Sequence, residues 1–116
     1  MKKKSERQKN AIAGHQAMKE LKALFEDRFP QTVEKMIFFG SRTKEISHEY
    51  SDYDVLVIVK NGYDWKFENS IYETAYDIDL KHEILIDIKI ISNQELGTLK
   101  GKQPFVKEAI EKGIVL

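Results

Sequence analysis

The chain has 116 residues, 41% of them hydrophobic and 33% charged, which suits one compact domain spanning residues 1–116. Its 19 basic and 19 acidic side chains cancel, so a long nucleic-acid footprint is not expected and nucleic acid is not expected as the main partner. It has no cysteine, which excludes disulfides, thiolate zinc sites and cysteine nucleophiles, and no apolar run long enough to span a bilayer; a cytoplasmic protein with no membrane partner is expected.

Residues 5–29 read as an amphipathic helix. Ile12, Met18, Leu21, Leu24, Phe25 and Phe29 recur at spacings of mostly three and four, and charged residues fill the other face. Pro30 ends the helix, because it pushes Phe29 out of the helical region. Residues 33–39 close on the apolar run Met36-Ile37-Phe38-Phe39, which predicts a strand buried on both faces and stopped at Gly40. Residues 41–46 suit one or two helical turns, and 47–53 a polar loop.

The β-branched run 54–60 predicts a second central strand, and Asn61-Gly62 a turn. Trp65, Phe67, Ile71, Ala75 and Ile78 place a helix over 65–81, with Trp65, Phe67 and Tyr72 read as core. Residues 83–92 alternate: Ile84, Ile86, Ile88 and Ile90 share one face, and Leu85, Asp87, Lys89 and Ile91 the other. A helical turn over 93–97 and a loop over 98–103 follow. Pro104 opens a last helix over 104–112, Gly113 stops it, and residues 114–116 read as a short terminal strand. The order implies a mixed α and β fold, with a three- or four-stranded sheet and helices packed on it. Strand directions stay open at this point.

The chemistry gathers at two strand ends. Gly40 lets a backbone approach a ligand closely, and a Gly40-Ser41 pair opening a helix points N–H groups at a phosphate; Arg42 and Lys44 add positive charge. Asp52 and Asp54 are two residues apart, so in an extended strand both carboxylates face one side, roughly 7 Å apart along it. Such a pair grips hard cations. Asp87, set between Ile86 and Ile88, is the third carboxylate, costly there unless it is paired or bound to metal.

Each feature has a plainer reading. Gly40-Ser41 also suits a simple strand-to-helix turn, and Asp52 and Asp54 a solvated loop. Asp87 also suits an edge-strand charge paired with Lys89, and Arg42 with Lys44 a solvated helix face. Asp77 and Asp79 fall near a helix end, where residues two apart do not face each other, and read as surface. His15, His48 and His82 lack metal-ligand spacing. Tyr53 points away from the aspartates that flank it and is expected to pack.

Gly40-Ser41, ten intervening residues and then Asp52-Tyr53-Asp54 resembles the signature of the DNA polymerase β-like nucleotidyltransferase superfamily. Within it the chain is most similar to the minimal nucleotidyltransferases, over residues 33–92 and again from Pro104 to Ile114. The resemblance implies an α/β (α+β) nucleotidyltransferase fold, with a small mixed sheet. It implies that Asp52 and Asp54 bind the Mg²⁺ ions holding a nucleoside triphosphate and that Asp87 completes the catalytic metal site. It also implies that Gly40 and Ser41, with Arg42 beside them, contact the phosphates. Glu45 departs from the glycine that the family often has there, which bears on the loop's path.

The implied activity is transfer of a nucleoside monophosphate, AMP from ATP, to a hydroxyl. A chain of this length is expected to take its acceptor from a partner or from a second copy of itself. Resemblance to antitoxins of this type suggests a helical HEPN-type ribonuclease toxin as that partner. Two other readings are a non-catalytic nucleotide-binding module that occludes a helical partner and an antibiotic-modifying nucleotidyltransferase.

Overall fold

The computed structural model describes residues 6–40 and 52–116, with side chains from residue 14 onward. Helix α1 (Glu6–Arg28) leads into strands β1 (Val33–Phe39) and β2 (Tyr53–Val59). Helix α2 (Trp65–His82), strand β3 (Ile86–Ser92) and the short helix α3 (Asn93–Leu96) follow. A 3₁₀ turn (Leu99–Lys102), helix α4 (Pro104–Lys112) and strand β4 (Ile114–Val115) complete the order.

One four-stranded sheet has the order β3-β2-β1-β4. The strand directions that the sequence leaves open are now fixed. β1 runs antiparallel to both β2 and β4, and β2 runs parallel to β3. The sheet is therefore mixed, and among the described strands β3 and β4 form its edges.

Alternation divides β2 between two cores. Tyr53, Val55, Val57 and Val59 pack with Leu21 and Phe25 of α1 and with Ile71, Ala75 and Ile78 of α2. Leu56 and Ile58 face the other way and meet Val106 and Ala109 of α4. Each such aliphatic side chain removed from water stabilises the fold by roughly 1.5–3 kcal/mol. This two-sided burial makes β2 read as a continuous apolar run.

The helix limits follow from local chemistry. Asp64 caps α2, its side chain accepting the Phe67 N–H at 2.9 Å. Glu83 closes α2 in the left-handed region at φ 54°. The strand expected from residue 83 therefore begins only at Ile86. Trp65 and Tyr72, expected in the core, are 67% and 41% exposed. Phe67 does pack, edge to face with Phe29 at 5.3 Å between ring centres. Among the described residues no helix is long and apolar enough to cross a membrane.

Candidate functional site

The ladder between β2 and β3 sets the acidic residues in place. Tyr53 is opposite Ile86, and the next pair is Asp54 opposite Asp87. Directly opposed residues in a sheet send their side chains to the same face. Asp54 and Asp87 are therefore side-by-side neighbours on the α4 face, one step before Leu56 enters the core beneath α4. The plainer reading of Asp87 also has substance: β3 is an edge strand, and Lys89 Nζ lies 3.4 Å from Asp87 Oδ2.

Burial is the largest cause that raises the Asp54 carboxyl, and the charges of Asp87 and Asp52 add to it. Together they push it up to about 6, while Lys89 pulls the other way. A half-buried carboxylate crowded by two like charges has an incentive to take up a cation. Asp52 sits just before β2 and is exposed, close enough for its charge to be felt at Asp54.

Among the described residues no group of three or more acidic or histidine side chains is arranged to hold a metal ion. The three carboxylates do not form a closed cage: two are neighbours, and Asp52 stands outside the pair. That donor set still fits Mg²⁺, which keeps several waters and takes one or two carboxylates together with substrate phosphates.

Gly40 ends β1 beside this pair. Phe39 is the β1 partner of Asp54, and Gly40 has φ +86°, a conformation that L side chains rarely adopt. A β-carbon on Gly40 would run into Asp54 Oδ2. The Asp54 carboxylate thus fills the space that a side chain at position 40 would need. Ser41 and Arg42, expected to contact phosphate, lie outside the described residues, as do Lys44, Glu45 and His48.

Tyr53 packs as expected. It is 4% exposed, stacks on Phe38 at 5.9 Å and occupies the space where a side chain on Gly14 would lie. Beyond Asp87 an open groove of about 440 Å³ runs along the outer edge of β3, lined by Asp87, Lys89, Tyr63, Tyr72, Lys100 and Phe105. A second hollow of about 350 Å³, between Phe25, Phe29 and Met36, includes none of the three aspartates and lies apart from this chemistry.

Of the two aspartates near the end of α2 expected at the surface, one is there and one is not. Asp77 is largely exposed, 3.9 Å from Arg28, as a surface residue should be. Asp79 is half-buried, and its Oδ1 accepts the Ile86 N–H at 2.9 Å. Burial first, and then the charge of Asp52, push its carboxyl up to about 6 against the pull of that hydrogen bond.

Residues 19–116 match the family described as Polymerase beta, Nucleotidyltransferase. No curated protein matches the chain.

Proposed function

The chain belongs to the polymerase β nucleotidyltransferase family, and from that membership and the pairing of Asp54 with Asp87 we propose that it moves AMP from ATP to a hydroxyl on a protein partner. The acceptor oxygen forms a bond to the α-phosphorus, the bond from that phosphorus to the β-phosphate bridging oxygen breaks, and pyrophosphate leaves. The acceptor proton goes to the Asp87 carboxylate. Asp54 and Asp87, with Asp52 beside them, would hold Mg²⁺, which when bound would neutralise phosphate charge and polarise the reacting phosphoryl group.

The chain's own contribution is placement. The β2–β3 register fixes Asp54 and Asp87 relative to one another on a strand pair, a firmer mount than a loop. The missing side chain of Gly40 leaves the Asp54 carboxylate its place beside the end of β1, and Ser41 with Arg42 would contact the phosphate. The groove beyond Asp87 gives the acceptor an open approach from the β3 side.

The partner is proposed to be a helical ribonuclease toxin of the HEPN type, with this chain as its antitoxin in the cytoplasm. The support is the resemblance of its motifs to minimal nucleotidyltransferases. The test incubates the chain with α-labelled ATP, Mg²⁺ and the product of the adjacent gene. Label is expected on the partner, with Asp52→Ala, Asp54→Ala and Asp87→Asn each lowering transfer at least ~100-fold, the scale of losing a principal electrostatic group. Label that stays on nucleotide, or transfer that survives Asp54→Ala, contradicts the reading.

A further inference from the structure

We infer that Asp79 is a positioning residue for Asp87, setting its place through the Ile86 N–H at the turn where α2 passes into β3. The inference rests on the role given to Asp87 above, and it adds a residue from a different element to that site.

Asp79 stands where a carboxylate is disfavoured twice. It lies in the last turn of α2, where the helix dipole presents negative charge, and it is half-buried. Its carboxyl is raised accordingly, with the charge of Asp52 adding to the burial. What it gains there is specific. Its backbone carbonyl accepts the N–H groups of Glu83 and Ile84, the two residues that turn the chain out of the helix. Its side chain then reaches over the turn to the first residue of β3. One residue thus holds both ends of the α2–β3 turn.

The other side of the same junction is held as well. The Tyr53 N–H donates to Leu85 O at 2.8 Å, and Tyr53 is opposite Ile86 in the ladder. Ile86 is therefore bracketed between β2 on one side and Asp79 on the other. The next pair along is Asp54 with Asp87. Without the Asp79 bond, the first β3 residue keeps its tie to β2 but is released towards the sheet's open edge. Asp87 is one residue downstream of that release, and catalytic placement tolerates little: a shift of ~1 Å can cost about 100-fold in rate.

The experiment compares Asp79→Asn with Asp79→Ala in the full chain. Asparagine keeps an oxygen that accepts the Ile86 N–H and removes the charge, whereas alanine removes both. Two readouts are taken: steady-state AMP transfer, and NMR of the Ile86 amide and the Asp87 side-chain carboxyl with and without Mn²⁺. Asn is expected to stay within ~3-fold of the parent in kcat, and Ala to lose roughly 10–100-fold in kcat with KM for ATP changed less than about 2-fold, the range seen when a supporting partner of a metal ligand is removed. The Asp87 carboxyl signal is expected to move in Ala and to stay in Asn. If Ala does not fold, Asp79→Ser, too short to reach the amide, takes its place.

Equal losses in Asn and Ala would assign the effect to charge and overturn the inference. So would an Asp87 signal and Mn²⁺ response unchanged in Ala. A parent chain that neither transfers AMP nor binds Mn²⁺ would remove the proposed function, while the response of the Asp87 signal to the Asp79 variants would still decide this point.

Discussion

Gly40 and the Asp54 carboxylate occupy adjoining space so closely that any side chain at position 40 would overlap Oδ2 of the aspartate. The glycine is also held at φ +86°. Gly40→Ala meets both obstacles, backbone strain and a collision with the carboxylate. It is expected to destabilise the fold by ~1–3 kcal/mol and to weaken Mn²⁺ binding, because the Asp54 side chain must turn aside. Urea unfolding and a Mn²⁺ titration of the same sample check the two effects. Unaltered metal affinity would show that Asp54 is not confined by this approach.

The raised Asp54 carboxyl makes a prediction about stability without metal. The native carboxyl keeps its proton up to about pH 6, whereas the unfolded one releases it near 3.8. Between those values the native state binds more protons, so stability falls as pH rises. The penalty is complete above about 6 and absent below the unfolded value. Asp54→Asn is therefore expected to be more stable than the parent at pH 8 in EDTA, by ~1 kcal/mol once solvent screening at a half-exposed site is allowed for. The two should converge near pH 3.5. A variant less stable than the parent at pH 8 contradicts the account.

Lys89 offsets this crowding, with its ammonium 3.4 Å from Asp87. In Lys89→Met the Asp54 carboxyl should titrate above its present value of about 6. A ligand must lose its proton to bind metal, so the acid limit of Mn²⁺ binding should move up in pH with it. Carboxyl-carbon NMR titrations read the first shift and metal titrations at stepped pH the second. A titration that moves down would show that Lys89 does not govern the pair.

Much of this arrangement was legible in the sequence because it rests on local pattern. The period of two in residues 86–91 put Asp87 on the face away from Ile86, Ile88 and Ile90, and the ladder agrees. Tyr53 was read as packed because neighbours in a strand face opposite ways. Strand direction was not legible: the parallel pairing of β2 with β3, which makes Asp54 and Asp87 neighbours, depends on how α2 crosses the sheet. Trp65 and Tyr72 fitted a helical period but fall on its outer side, since one face of α2 is already filled by Ile71, Ala75 and Ile78.

The spacing of two from Asp77 points Asp79 to the surface, but its spacing from Ala75 points the other way. Four residues from Ala75, it falls on the buried face of α2, so its partial burial is legible in the sequence. The hydrogen bond to Ile86 is not, because it depends on the left-handed turn at Glu83.

The most direct test of the account is a crystal structure of the chain with Mg²⁺ and a non-hydrolysable ATP analogue. The account predicts a divalent ion held by both Asp54 and Asp87, with the triphosphate lying against Gly40. A triphosphate bound elsewhere, or an ion that neither carboxylate touches, would contradict it.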